Sequence, residues 1–161
     1  MKKIEKTMRY LSLGAAVLVL ISMMLPVLTY EDTSFYGHEI VFGQEILSIN
    51  PFNLGTIASA WLPFSWIGLL AFSLPALSSM LVMINKKYVP ISLLISLIAL
   101  FLMISLPDSI KLMVQIGNSE TSMEINWRIA YGFVVGVVAI GLTMATHFYI
   151  FVSQDTLKLK T

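Results

Sequence analysis

Four long stretches of this chain contain no charged residue, and their spacing limits the fold more than any other feature. A helix needs about 20 apolar residues to cross the roughly 30 Å hydrocarbon core of a bilayer. Each stretch reaches or approaches that length, and the charged residues collect between them. The pattern predicts an all-α integral membrane protein, one domain over residues 1–161, with four spans at about 11–28, 57–84, 89–106 and 129–152.

The amino-acid composition agrees with a membrane protein. Hydrophobic residues make up 57% of the chain and charged residues 12%, whereas a soluble domain carries about 25% charged residues. The first apolar stretch is longer than the core of a secretory signal and ends without a small-x-small cleavage motif, so we expect an uncleaved anchor. The chain has no cysteine, which excludes disulfides and thiolate chemistry. Its net charge of +1, with no long basic run, gives no indication of nucleic-acid binding.

Lysine and arginine are distributed unevenly between the connecting segments, and this predicts the orientation. Short loops rich in these residues stay on the cytoplasmic side. The two longer loops, residues 29–56 and 107–128, carry two basic and seven acidic residues. We therefore expect a multi-pass protein of the cell membrane, with cytoplasmic termini and both longer loops outside. The basic residues of the termini and of the short loop between the second and third spans are Lys2, Lys3, Lys6, Arg9, Lys86, Lys87, Lys158 and Lys160.

The two outer loops alternate between apolar and polar residues, as β-strands do. Residues 34–47 combine aromatic and β-branched residues with glycines, which predicts short strands with a bend. Residues 110–116 and 121–127 alternate more cleanly around a glycine-containing turn, which predicts a hairpin. An alternative interpretation is a short helix with Asp108 as its N-cap and its end at Gly117. We expect the two loops to form one small β-structured cap whose apolar face rests on the helix ends.

Small residues form one stripe along each predicted span. Helices in lipid associate through close packing of such residues, because the lipid is as apolar as their side chains. In the fourth span, Gly132-x-x-x-Gly136 continues at helical spacing with Ala139 and Thr143. We expect this stripe to pack inside a four-helix bundle; a dimerisation face outside the bundle is the alternative. The stripes of the other spans contain Ser12, Ala15, Val19, Ser22, Pro26, Gly68, Ala71, Pro75, Ser78, Ser92, Ser96 and Ala99.

His147 is the only ionisable residue well inside a predicted span. Such residues are functional candidates by default, but its position near the cytoplasmic end favours a structural hydrogen bond, for example with Thr143. The sequence contains no catalytic motif, dinucleotide fingerprint or metal-binding spacing, so we expect no enzyme activity, cofactor or metal. The candidate recognition surface consists of acidic, aromatic and histidine side chains of the outer loops: Tyr36, His38, Glu39, Phe42, Glu45, Glu120 and Glu124.

The predicted layout resembles the claudin-like tetraspan architecture, which has four spans, termini inside and a longer first outer loop with strand character. The resemblance covers the chain at the level of topology. The claudin signature of the first outer loop, a Trp-Gly-Leu-Trp set followed by two cysteines, is absent, since that loop contains neither tryptophan nor cysteine here. The resemblance therefore implies an architecture and no site residue.

Three hypotheses for the function remain. The first is a non-enzymatic membrane protein that acts through protein contacts, as an accessory subunit, a regulator or an immunity-type protein. Its partners would be another membrane or extracytoplasmic protein or a second copy, in addition to the lipid bilayer. The alternative is a small oligomeric transporter or channel, with the second and fourth spans along its path. The third is an enzyme or lipid-handling protein that uses His147 or the outer acids.

Overall fold

Four long helices, one short helix and two small β-sheets make up the computed structural model, which describes residues 2–49 and 58–158. A 3₁₀ turn at Lys86–Tyr88 joins the second and third long helices. The helices are α1 (Lys2–Ser22), the short α2 (Gly37–Phe42), α3 (Trp66–Ile84), α4 (Val89–Ser109) and α5 (Tyr131–Lys158). The strands are β1 (Pro26–Tyr30), β2 (Thr33–Tyr36), β3 (Gln44–Ile49), β4 (Ala58–Leu62), β5 (Lys111–Ile116), β6 (Ser119–Glu124) and β7 (Arg128–Ile129).

Three helices within the described residues are long and apolar enough to cross a membrane. They are Trp66–Ile84, Lys86–Ser109, which includes the 3₁₀ turn, and Tyr131–Ser153. These helices correspond to the second, third and fourth predicted spans, so the chain has the helices of a membrane protein. Helix α1 carries charged residues in its first turns, and only its part after Arg9 is free of charge.

The first predicted span, residues 11–28, is wrong beyond Ser22, where α1 ends. Pro26 disfavours helical backbone at the residue before it. The N–H groups of Gly37 and His38 donate to the carbonyl oxygens of Leu25 and Met23, at 3.3 and 2.9 Å. The chain therefore turns after α1 and continues as β1 instead of extending the helix.

The second predicted span, residues 57–84, is wrong at its start, because residues 58–62 form β4; residue 57 lies outside the described residues. Helix α3 begins at Trp66, and the Ser65 side chain caps it by accepting a hydrogen bond from Gly68 N–H at 3.0 Å. The predicted spans 89–106 and 129–152 differ from the structure only at their ends. Helix α4 continues to Ser109, and Ile129 belongs to β7 rather than to α5.

Helix α1 runs antiparallel to α5. Ser12 of α1 contacts His147, toward the C-terminal end of α5. Ser22, at the end of α1, lies beside Gly136 near the start of α5. The first and last helices therefore bring the two ends of the described chain to the same end of the helix assembly.

Helices α3 and α4 are also antiparallel neighbours. Ser96 Oγ of α4 donates to Ser78 Oγ of α3 at 3.0 Å. Leu106, later in α4, lies beside Gly68, earlier in α3. The 3₁₀ turn that joins these helices therefore lies at the same end as the chain ends. Both sheets lie at the opposite end.

The small-residue stripes lie on the buried faces of the helices. A Cβ atom at Gly132 would come within 2.5 Å of Pro26 O, and one at Gly136 within 2.5 Å of Met103 Cε. The stripe of α5 therefore faces β1 and α4 rather than lipid, and Ala139 and Thr143 are buried with it. Pro26 is half-buried in β1, and the remaining stripe residues are all buried: Ser12, Ala15, Val19, Ser22, Gly68, Ala71, Pro75, Ser78, Ser92, Ser96 and Ala99.

The smaller sheet, with strand order β2-β1-β7, covers one end of the long helices. Leu28 and Phe35 of this sheet are buried in the same hydrophobic core as the helix side chains. Trp127 lies beside them, with its ring edge-on to Phe35 at 5.2 Å between centroids. Its Nε1 donates to Ile110 O at 3.0 Å. This sheet is therefore an integral part of the core.

The larger sheet, with strand order β3-β4-β5-β6, combines strands from both of the loops that were predicted to lie outside. The predicted hairpin is confirmed: β5 and β6 are antiparallel and joined by Gly117, at φ +60°, and Asn118. The helical alternative is wrong, because Asp108 lies in the last turn of α4. The strands predicted at 34–47 are wrong in the middle, where residues 37–42 form α2 behind a Tyr36–Glu39 capping box.

The apolar face of the larger sheet does not rest on the helix ends as predicted, except at its base. At the base, Leu62 is buried, and the partly buried Leu112 packs against the hydrophobic core. Farther out, Leu47, Ile49 and Ile116 are 51%, 46% and 66% exposed. The expectation fails because the strands of this sheet contact one another and make few contacts with the helices.

Gly132→Ala should destabilise the protein, whereas Gly141→Ala in the same helix should not. The new Cβ at Gly132 would meet the backbone of Pro26, and overpacking of this kind costs about 1–3 kcal/mol. A Cβ at Gly141 would enter open space, so that variant should be neutral or gain up to about 1 kcal/mol from helix propensity. Thermal unfolding in detergent gives the comparison. Equal midpoints for the two variants would contradict the close approach of α5 and β1.

Candidate functional site

Hydroxyl groups from three helices converge on the buried imidazole of His147 in α5. Ser12 Oγ of α1 lies 2.7 Å from Nε2, and Ser96 Oγ of α4 lies 3.3 Å from Nδ1. Ser79 Oγ of α3 lies 2.8 Å from Ser12 Oγ, and Ser78 Oγ accepts from Ser96 at 3.0 Å. All five side chains are fully buried. We call them the His147 cluster.

The hydroxyl groups can satisfy both nitrogens of a neutral imidazole, which has one donor and one acceptor. Ser96 can donate its proton to Ser92 O at 2.9 Å or to Ser78 Oγ, which leaves its oxygen to accept from Nδ1–H. Ser12 then donates to Nε2, and Ser79 donates to Ser12 O at 3.2 Å. Both ring nitrogens therefore have partners without any charged group.

The buried polar side chains of the described ranges are serine, threonine and histidine, with no carboxylate among them. An imidazolium would therefore lack an ionic partner, and an unpaired charge in an apolar interior is strongly unfavourable. The Ser12–His147 distance would suit a nucleophile and its base, but both side chains are completely buried between the helices. This arrangement suits hydrogen bonding between helices.

The structure places the predicted partner of His147 elsewhere. Thr143 Oγ1 donates to Ala139 O at 3.0 Å, within its own helix. The serines that do reach the ring belong to the stripes of small residues, which are predicted from the size of the side chains and not from their hydroxyl groups. Ser79 was missed because it lies beside the stripe. One signal could have identified these partners of His147: each of the other three predicted spans contains serines, whose hydroxyl groups can bond to an imidazole.

A second candidate region is an open groove of about 720 Å³ on one face of the larger sheet. The strand register pairs Glu45 with Trp61 and places Ser59, Gln115 and Glu120 in one row across β4, β5 and β6. Directly opposed residues share a sheet face, as do residues two positions apart along a strand. All five side chains therefore lie on the same face. The residues lining the groove are Phe42, Gly43, Gln44, Glu45, Ser59, Trp61, Leu62, Pro63, Phe64, Gln115 and Glu120.

The lining of the groove includes two carboxylates and no basic residue. Glu45 and Glu120 are exposed, and neither forms an ion pair within the part of the chain that the structure describes. Lys111 of β5 is bound to Glu124 at 3.0 Å. Across residues 2–49 and 58–158, no three His, Asp or Glu side chains lie close enough together to hold a metal ion.

The structure brings together three of the seven predicted recognition residues, since Phe42, Glu45 and Glu120 line the groove. Glu39 instead accepts a hydrogen bond from Tyr36 N–H at 2.8 Å and so caps α2. The four that lie outside the groove are Tyr36, His38, Glu39 and Glu124. Trp61 and Ser59 are not among the predicted site residues, because the sequence pattern places residues 58–62 in the second span. The alternation of alanines with Ser59 and Trp61 was the available signal for a strand.

Ser96→Ala should destabilise the protein more than Ser105→Ala, a matched change in the same helix. Ser96 bonds to groups on α3 and α5, so its loss leaves His147 Nδ1 without that partner, at a cost of about 1–3 kcal/mol. Ser105 bonds only to Leu102 O of its own helix, so Ser105→Ala should change stability by less than about 0.5 kcal/mol. Thermal unfolding in detergent measures both. An equal loss of stability in Ser96→Ala and Ser105→Ala would contradict a stabilising role of the His147 cluster.

Comparison of the chain with protein-family models, with curated proteins and with solved structures finds no match. The geometry of the His147 cluster and of the larger sheet is therefore the basis for proposing a function. The cluster lies between the helices. The groove and the uncovered sheet face are exposed.

Proposed function

We propose that this protein is a non-enzymatic multi-pass protein of the cell membrane that acts through protein contacts made by its larger sheet. The roles that fit are those of an accessory subunit, a regulator or an immunity-type protein. The observation that supports the proposal is the uncovered apolar face of the larger sheet, beyond the ends of the helices. A contiguous apolar patch that stays exposed is a common mark of a protein interaction site.

The open edges of the larger sheet support the same function. Among residues 2–49 and 58–158, β3 and β6 are the edge strands of this sheet, and every residue of both is exposed. An edge strand presents backbone N–H and C=O groups that can pair with a strand of another protein. A partner strand that pairs with β6 would also lie beside Met123, which is among the exposed apolar side chains of the sheet.

The proposal includes four membrane spans: the three apolar helices described above and, in addition, α1. Its charge-free part, residues 10–22, is about 20 Å long at the helical rise, so the turn that carries Lys6 and Arg9 must lie in the part of the roughly 30 Å hydrocarbon core nearest the surface. Lys6 and Arg9 can extend toward the membrane surface while their aliphatic stems stay in the apolar layer. With the basic segments in the cytoplasm, the chain ends and the 3₁₀ turn lie inside and both sheets lie outside.

Cysteine labelling tests the orientation directly, because the chain has no native cysteine. Ser34→Cys and Ser119→Cys lie in exposed parts of β2 and β6 and should react with a membrane-impermeant maleimide in intact cells. Asn85→Cys, at the exposed turn between α3 and α4, should react only after permeabilisation. Labelling of Asn85→Cys in intact cells would overturn the proposed orientation.

Photo-crosslinking tests the contact function. A benzophenone amino acid at Ile116 or Thr121, both exposed on the larger sheet, should give one discrete adduct with a second protein. The same amino acid at Asp32, in the exposed turn of the smaller sheet, is the matched control and should give none. Adducts only between copies of this chain would mean self-association. The same adducts at Asp32, or none at any position, would contradict contact through the larger sheet.

A further inference from the structure

We infer that the groove on the larger sheet binds an extended, lysine- or arginine-bearing segment of a partner protein, with two cations about four residues apart. This inference rests on the proposed function, since it assumes that the larger sheet contacts another protein. It adds the chemistry and the spacing that the partner needs.

The side chains that line the groove indicate that the partner segment is positively charged. Glu45 and Glu120 are exposed carboxylates without an ion pair among the described residues, and Lys111 is already bound to Glu124. Trp61 forms part of the floor, between the two carboxylates. A cationic partner is therefore complementary to the groove, and an anionic one is repelled.

The spacing of the two carboxylates indicates an extended segment rather than one small cation. Glu45 and Glu120 lie on the two edge strands, three strand spacings apart and offset by two residues along the strands. With about 4.8 Å between strands and about 3.4 Å per residue, their Cα atoms are about 16 Å apart. A single ammonium group cannot contact both carboxylates over that distance.

An extended peptide matches this separation. Its side chains at i, i+2 and i+4 point to one face, and residues i and i+4 are about 13 Å apart. The flexible stems of lysine or arginine cover the remaining few ångströms. The residue at i+2 would then lie over Trp61, Ser59 and Gln115. Phe42 and Phe64 are 64% and 42% exposed and offer further apolar contact along the groove wall, so an apolar residue fits best at i+2.

Peptide binding to the full-length protein tests the inference. The protein is reconstituted in nanodiscs of phosphatidylcholine, which carries no net charge, and binding is measured by fluorescence anisotropy. The probe is a fluorescein-labelled peptide, Gly-Ser-Lys-Thr-Val-Thr-Lys-Ser-Gly, whose lysines are four residues apart. The control has the same composition with adjacent lysines, Gly-Ser-Lys-Lys-Val-Thr-Thr-Ser-Gly. The first peptide should bind and the control should bind more weakly.

The carboxylates are tested one at a time. Glu45→Gln and Glu120→Gln should each weaken binding of the first peptide about two- to five-fold, as expected for exposed ion pairs, and the double variant should weaken it further. Asp32→Asn removes the same charge from the exposed turn of the smaller sheet and should leave binding unchanged. These exposed substitutions touch no buried contact, so the variants should fold normally.

Several results would overturn the inference. The first is that neither peptide binds, and the second is that both bind equally well. The third is that Asp32→Asn weakens binding of the first peptide as much as Glu45→Gln and Glu120→Gln do. Competition by lysine amide as strong as that of the peptide, at equal lysine concentration, would indicate a site for small cations instead. None of these results bears on crosslinking at Ile116 or Thr121. A partner adduct there without peptide binding would retain the proposed function and assign the contact to the apolar face or the edge strands.

Discussion

The hydrogen bonds around His147 join all four long helices at one level of the structure. The ring contacts Ser12 of α1 and Ser96 of α4, and the serine pair of α3 completes the set. Apolar packing between helices in lipid has little directional preference, whereas a hydrogen bond is lost if one helix slides by a turn. The cluster therefore specifies the register of each helix relative to its neighbours. The close contacts at Gly132 and Gly136 depend on that register.

The two sheets depend on this helix assembly to very different degrees. The smaller sheet inserts Leu28 and Phe35 into the core, and Trp127 covers them. The larger sheet is attached mainly through Leu62 and Leu112 at its base. One sheet closes the hydrophobic core, and the other presents an apolar face and an acidic, aromatic groove to its surroundings. The separation of these two tasks is what supports a contact function.

The sequence predicts much of this architecture because apolar length and two-residue alternation are strong local signals. The third and fourth spans and the β5–β6 hairpin follow from them directly. The prediction fails where two signals overlap: Ala58 to Leu62 is apolar enough to be read as part of a span, although it forms a central strand. It also fails at Ser22, because the carbonyl groups that follow α1 are occupied by α2, which is a non-local contact.

The candidate sites were predictable only in part for the same reason. His147 stands out as an ionisable residue in an apolar stretch, but its partners come from helices far away in sequence. Ser12 is separated from it by most of the chain. Phe42, Glu45 and Glu120 were identified by residue type. Their assembly around Trp61 depends on the pairing of β3 with β4 and of β4 with β5, which no local pattern contains.

The connections of the larger sheet have a mechanical consequence. Its two central strands are covalently continuous with neighbouring helices: three residues separate β4 from α3, and Ile110 alone separates α4 from β5. A displacement of the far end of the sheet therefore reaches α3 and α4 through two short connections. These are the two helices that the Ser78–Ser96 hydrogen bond joins.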